Sequence, residues 1–228
     1  MLEDPPVLTL REEFPRPSFD QMRRFHGAQT AHVVDSMDGR GALERSIMPQ
    51  VAPVSTIVAP ALTAHCYPAD NMALLVTLEV LQPGDFVICA TDSFRDTAVT
   101  GDLVAGMLRN AGAVGLATDG TVRDQIGIEQ MGLPVFHAGV TPNSPAGIGP
   151  GTVGLPITCG GVRVCSGDLV VADRDGVVIV PYADIDKVAD RLDQVRAAEA
   201  VAEAAVKAGK TNKGTLAALD AAGKVKRV

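Results

Sequence analysis

The chain has no tryptophan, two tyrosines and six phenylalanines among its 228 residues. A core so poor in large aromatics must be filled by branched aliphatics, which suits a sheet covered by Ala- and Leu-rich helices. No apolar run is long enough to span a bilayer, because Gly, Pro or a charge interrupts each one. A basic stripe is missing too. The net charge is -7, and the cations from Lys207 to Arg227 are singly spaced apart from the terminal Lys226-Arg227 pair, as on a solvated surface. Phosphate contacts supply much of a nucleic-acid binder's affinity, so this balance argues against nucleic acid as a partner. The opening MLEDPPVLTLREEFPRP is acidic where a secretory leader is basic, and no apolar core follows it. The expectation is therefore a cytoplasmic protein that is not tied to a membrane.

Common catalytic signatures are also absent. Cys66, Cys89, Cys159 and Cys165 form no CxxC pair, so neither a zinc nor an iron–sulfur site is indicated. Cys66 and Cys89 lie in strand-like runs and read as small buried hydrophobes. Four histidines (His26, His32, His65 and His137) make no HxH or HExxH, and no GxSxG exists. The glycine-rich PAGIGPGTVG lacks the Lys-Ser/Thr of a phosphate loop, and DRDG at 173–176 reads as a hairpin turn.

What is present is a β–α alternation. A helix is expected in QMRRFHGAQTAHVVDSMD, ending near Gly39 or Gly41, and extended chain over 52–66. A helix from an Asp70 N-cap to Leu81 precedes a buried strand, Phe86–Ala90. Further helices are expected at 97–111 and 123–131, with strands at 114–117 and 133–138, which indicates a partly parallel sheet. After a turn-rich loop come TVGLPI, GVRV, DLVVAD and GVVIVP, short strands of an antiparallel or barrel-like element. A helix of roughly 25 residues ends the regular pattern, Ala-rich and only partly amphipathic, as a subunit contact would be.

Chemistry concentrates in GLATDGTVRDQIGIEQMGLPVF. A short strand delivers Asp119, Gly120 turns the chain, and Arg123-Asp124 open a helix. Charged residues at a strand's carboxyl end, beside a helix N-terminus, occupy the place where open α/β sheets bind ligands. Arg is a bidentate partner for a carboxylate, and Asp offers hard oxygens to Mg²⁺ or Mn²⁺. The same two residues would serve equally as a helix cap and a weak surface ion pair. A second candidate is Gly101-Asp102-Leu103-Val104. Gly101 allows close approach, the backbone N–H groups of 102–104 could cradle a carboxylate, and Asp102 could handle a proton; plain capping is the alternative. Glu199 and Glu203 share one face of the terminal helix, where they could reach a neighbouring subunit or simply face solvent.

Several linked segments now resemble one family. PADN at 68–71, PGD at 83–85, GLATDGTVRD at 115–124, PVF at 134–136 and GGVRVCSGDLVVADRDGVVIVP at 160–181 are similar, in that order, to the RraA-like family. That family includes 4-hydroxy-4-methyl-2-oxoglutarate aldolases with oxaloacetate decarboxylase activity, and a regulator of ribonuclease E activity. The resemblance runs from about Thr30 to Lys210. It implies an α/β fold, a compact α-β-β-α sandwich with a mixed sheet of the phosphohistidine or swivelling-domain type. It also implies a single domain over 1–228, with a 1–29 extension and a 184–210 helix packing on a neighbouring subunit of a homotrimer or homohexamer. Arg123 would hold the carboxylate and 2-oxo oxygen of a small 2-oxo acid, and Asp124 would be the direct protein ligand to Mg²⁺ or Mn²⁺. Gly101, Asp102, Leu103 and Val104 would grip the pyruvoyl carboxylate, Asp102 would position a proton-donating water, and Glu199 would come from an adjacent subunit. The expected activity is a metal-dependent carbon–carbon lyase. The alternative is a non-catalytic regulator of a ribonuclease. The lyase chemistry needs no Schiff-base lysine, and no lysine precedes Lys187. The family's Ala-Arg-Gly after PVF is replaced by His137-Ala138-Gly139, and Val140–Pro150 carries no basic residue.

Overall fold

Residues 6–228 are described by a computed structural model. Its elements in chain order are β1 (Leu8–Leu10), α1 (Phe19–Arg24), α2 (Thr30–Ser36), β2 (Met48–Pro49), β3 (Ile57–Cys66), α3 (Met72–Val80) and β4 (Phe86–Ala90). There follow β5 (Ala98–Thr100), α4 (Asp102–Asn110), β6 (Gly115–Thr118), β7 (Thr121–Val122), α5 (Gln125–Met131) and β8 (Val135–His137). The remainder is β9 (Gly151–Val153), β10 (Ile157–Cys159), β11 (Val162–Val164), β12 (Leu169–Asp173), β13 (Gly176–Val180), α6 (Ile185–Lys207) and α7 (Thr215–Ala221).

The long strand β3 organises the sheet. Its second half lies between β4, parallel to it, and β9, antiparallel. The path continues through parallel β6 and β8 to β2, with β1 beyond β9 at the other edge. Its first half leaves this layer and pairs antiparallel with β12, which forms a hairpin with β13.

Strand side chains alternate between faces, and that period divides the core into three layers. Leu62, Ala64, Val87, Cys89, Leu116 and Val135 point one way, towards Leu74, Leu108 and Ile128 of the helices α3, α4 and α5. Their neighbours Ala61, Phe86, Ile88, Ala117 and Phe136 point the other way and meet Val170, Ala172, Val177 and Ile179 of the hairpin. The opposite face of the hairpin, Leu169, Val171, Val178 and Val180, packs on Phe25, Val33, Ile185, Val188 and Leu192. The result is helix, sheet, sheet, helix: the α-β-β-α sandwich with a mixed sheet.

Local details differ from the pattern-based reading. The helix expected in QMRRFHGAQTAHVVDSMD is two short helices, because Gly27 at φ 65° breaks it. Asn71, not Asp70, is the N-cap of α3, although Asp70 Oδ1 accepts from the Met72 N–H at 2.8 Å. The 97–111 segment starts as strand and becomes helix only at Asp102, and α5 begins at Gln125 instead of Arg123. The small helix α7 has no counterpart in the expected pattern. Two compact units are formed, one ending at Leu192 and one of Asp193–Val228. In the second, α6 continues with no buried residue, and Glu199 is exposed. Among the described residues no helix is long and apolar enough to cross a membrane.

One packing detail is tested simply. Phe86 is paired with Gly115 on the adjacent strand, and a Cβ at Gly115 would lie 2.3 Å from the Phe86 ring. Overpacking of this kind costs roughly 1–3 kcal/mol. G115A is expected to lower the urea midpoint accordingly; an unchanged midpoint would contradict the packing.

Candidate active site

Residues 101 and 123 meet because β5 and β7 pair in parallel outside the main sheet. Ala98 is registered with Thr121 and Thr100 with Val122, and the Arg123 N–H donates to the Thr100 carbonyl at 3.0 Å. The next residues of both strands therefore emerge side by side, beyond the carboxyl ends of the parallel neighbours β4 and β6. Gly101 has extended backbone (φ -144°), so conformation does not require glycine there. Space does. A Cβ would lie 2.7 Å from Asp124 Oδ2 and 3.2 Å from Arg123 Cγ.

Asp124 sits in the left-handed region, at φ 57° and ψ 46°. That conformation is uncommon outside glycine, although Asp tolerates it better than most, and such residues cluster at functional sites. Its Oδ2 is 3.2 Å from Arg123 Nε, and both side chains are partly exposed (46% and 37%). Arg123 Nη1 donates to Ser144 Oγ. Ser144 belongs to a loop held by Asp70, whose Oδ2 accepts from the N–H groups of Ile148 and Gly149 at 2.8 and 3.0 Å. The Asp70 motif thus anchors the loop that touches Arg123.

Asp102 opens α4, and its Oδ1 accepts from the Leu103 N–H at 2.7 Å. Of the three backbone donors expected to cradle a carboxylate, this one is engaged by the protein's own side chain. Oδ2 of the same group faces Gly127 of α5, where a Cβ would come within 2.5 Å. Gly127 and Ser144 were missed in reading the sequence. A glycine inside a helix was the one available signal for Gly127.

Two cavities share Arg123 and Asp124 as a common wall. One, of about 260 Å³, is lined by Gly101–Val104, Met107 and Leu75; the other, of about 570 Å³, by Gln125–Gly127 and Val140–Pro142. No group of three or more His, Cys, Asp or Glu residues suited to a metal occurs among the described residues. A hard cation that keeps several waters and takes one or two carboxylates still fits. Asp124, whose carboxylate is partly exposed beside Gly101, would be the donor to such a cation, Mg²⁺ or Mn²⁺.

The other conspicuous acids have structural duties. Asp119 is buried and accepts from Thr91 N (2.7 Å) and Ser93 N (3.1 Å), as well as from both hydroxyls. Those bonds hold a loop in which Asp92 and Ser93 both have positive φ. Buried Asp85 receives Arg16 and the Gln82 N–H. Asp168 receives the N–H groups of Cys165 and Tyr182, and burial pushes its carboxyl above the usual range. His137 is a strand-end residue whose Nδ1 accepts from the Gly139 N–H, and burial pulls its ionisation below the usual histidine value. His65 pairs with Asp92 at 3.0 Å. Cys66 and Cys89 are fully buried thiols, with sulfurs 3.7 Å apart.

This fold agrees with the comparisons. Residues 30–179 match the family model described as RraA-like, Aldolase/RraA. The chain belongs to the RraA-like family. A relative from Halalkalibacterium halodurans, provisionally named a 4-hydroxy-4-methyl-2-oxoglutarate aldolase, is 30% identical over 187 residues, covering 82% of this chain and 89% of its own. An uncharacterised protein from Pseudomonas syringae pv. tomato superposes with a TM-score of 0.77 at 25% identity, covering 87% of this chain and 93% of that one. RraAS2 of Streptomyces coelicolor, described as an unusual member of the RNase ES inhibitor RraA family, gives 0.70 at 26% identity, with 82% and 98% covered.

The two kinds of aspartate are separable by stability. Removing the Asp119 carboxylate strands several buried donors, and D119A is expected to cost about 3 kcal/mol. D124N replaces an exposed group and should stay within about 0.5 kcal/mol of the parent. Urea unfolding of both variants measures the contrast; equal losses would contradict it.

Proposed function

We propose that the protein is a divalent-metal-dependent lyase that breaks a carbon–carbon bond in a small 2-oxo acid and releases pyruvate. The observation that carries this reading is the joining of Arg123 and Asp124 at the wall common to both cavities, with Asp102 across from Gly127. The name of the Halalkalibacterium relative supplies retro-aldol cleavage of a 4-hydroxy-2-oxo acid as the first reaction to examine, and β-decarboxylation of oxaloacetate is chemically close to it.

Arg123 binds the substrate carboxylate and faces the 2-oxo oxygen, where negative charge grows as the bond beyond C3 breaks. A preorganised guanidinium aimed at developing charge stabilises that stage more than the ground state. Asp124 would hold Mg²⁺ or Mn²⁺, which when bound acts as a Lewis acid on the 2-oxo acid. The backbone N–H groups of Asp102 and Val104, in the first turn of α4, orient the carboxylate. Oδ2 of Asp102 makes no hydrogen bond among the described residues, so it is the atom placed to hold or pass a proton.

Leu75, Leu103, Met107, Ile126 and Val140 are exposed apolar side chains lining the two cavities. Such a collar is what a second copy would cover on forming a trimer or hexamer. The exposed outer half of α6 is suited to carry Glu199 into a neighbour's site. A second reading, a protein that restrains a ribonuclease, comes from the Streptomyces relative; it leaves the Arg123, Asp124 and Asp102 set without a task.

Pyruvate release from oxaloacetate and from a series of 4-hydroxy-2-oxo acids tests the reading. Activity should require Mg²⁺ or Mn²⁺ and stop with EDTA. R123A and D124N should each lower kcat/KM by about 10²–10³, the scale of losing one charge-stabilising contact. Full turnover by D124N after rigorous metal removal would overturn the metal assignment. No turnover of any acid, with capture of a ribonuclease, would establish the second reading instead.

A further inference from the structure

A second concentration of charge borders the hairpin of β12 and β13. A cavity of about 190 Å³ opens between the end of α2, strand β11 and the start of α6, and Arg40, Arg163, Lys187 and Arg191 all line it. Four cations around one cavity reverse, locally, the sign of a chain whose net charge is -7. Every lining residue belongs to the unit that ends at Leu192, and none lines the rim cavities. The first two turns of α6 bury Ile185, Val188, Ala189 and Leu192 against this chain's own hairpin. The outer half of α6 therefore takes no part in these walls.

A carboxylate of the chain already sits on this cluster. Asp38, on a left-handed backbone at φ 58°, accepts from both Nη groups of Arg191 at 2.9 and 2.5 Å. Arg40 Nη2 stands 3.7 Å from the same carboxylate, and Arg40 Nε is fixed by the Met37 carbonyl at 3.0 Å. The Arg191 guanidinium holds the Asp38 carboxyl below the usual range, with Arg40 and Lys187 adding to the effect. Arg163 and Lys187 are exposed and make no hydrogen bond or ion pair among the described residues. Lys187 also stands in the first turn of α6, where the positive end of the helix disfavours a cation. Asp184 is the one acid lining the cavity, so the four cations against Asp38 and Asp184 leave two positive charges.

We propose that this cavity binds a small phosphate monoester, its phosphate taken by Arg163 and Lys187 beside Arg191 and its short carbon stem lodged against Met37, Val162 and Val188. One phosphate group carries about -1.5 to -2 near neutral pH and presents three acceptor oxygens, which matches two positive charges gathered at one place. Guanidinium forks and an ammonium are the groups that recognise it. Met37 and Val188 are buried at the wall and Val162 is partly so, which suits a stem more than a second charge. Asp38 competes with the ligand for Arg191. The site stands whether or not the rim is a lyase, because the two share no residue.

Calorimetry on the full chain with propyl phosphate, butyrate and inorganic phosphate tests this. Propyl phosphate is expected to bind at one site per chain, at least tenfold more tightly than butyrate, which carries a single charge on the same stem. It should exceed inorganic phosphate, which has no stem, by about fourfold for each methylene buried. R163A and K187A alter exposed side chains and should each weaken binding about tenfold, whereas R123A at the rim should leave it unchanged. D38N keeps a residue type that tolerates the left-handed backbone, removes the competing carboxylate, and should tighten binding about threefold. No binding, equal binding of propyl phosphate and either comparison anion, full affinity in the doubly substituted R163A/K187A chain, or loss in R123A would overturn the proposal. A D38N chain that binds no better would also count against it.

Discussion

The parallel pairing of β5 with β7 is the constraint on which the site depends. It involves only a few residues, and it stands apart from the main sheet. Without it, Gly101 and Arg123 would end two separate connections at the sheet's rim. With it, the strand that carries Arg123 is fixed by the Thr100 carbonyl, and the loop after Gly139 is fixed in turn, since the Thr141 N–H donates to the Val122 carbonyl at 3.0 Å. Close approach then demands that residue 101 have no side chain. The cost is a strained backbone at Asp124, a common property of residues that must present a group at one angle.

Burial separates the many aspartates by what they do. Asp70, Asp85, Asp119 and Asp168 are each nearly inaccessible and accept hydrogen bonds from loop N–H groups or, for Asp85, also from Arg16. They act as joints that fix connections to the sheet. Asp102 and Asp124 keep accessible oxygens and line the cavities. The buried acids of this chain thus hold the rim in shape, and the two proposed to work there are positioned by the loops they fix.

Much of this was legible in the sequence where a period or a special residue carried it. The apolar runs Phe86–Ala90, Leu169–Ala172 and Val177–Val180 announced buried strands, and the turn at Asp119-Gly120 marked where the chain reaches the rim with Arg123 and Asp124. The resemblance then gave the layers their order. Short elements were less visible. Thr97–Thr100 reads as the start of a helix because nothing local forbids it; tertiary pairing with Thr121-Val122 makes it strand. Gly27 divides a helix that the apolar pattern would continue. The role of Gly127, to leave room for Asp102, depends on two helices meeting, which no spacing in one of them encodes.

The central claim is that the gap at Gly101 lets Asp124 hold a divalent cation beside Arg123. The direct measurement is a Mn²⁺ titration followed by electron paramagnetic resonance, comparing the parent with G101A and with circular dichroism confirming an unaltered fold. The account expects one Mn²⁺ per chain in the parent, and at least a tenfold weakening in G101A, because the new Cβ meets Asp124 Oδ2 at 2.7 Å. Identical titration curves for the two proteins would contradict it.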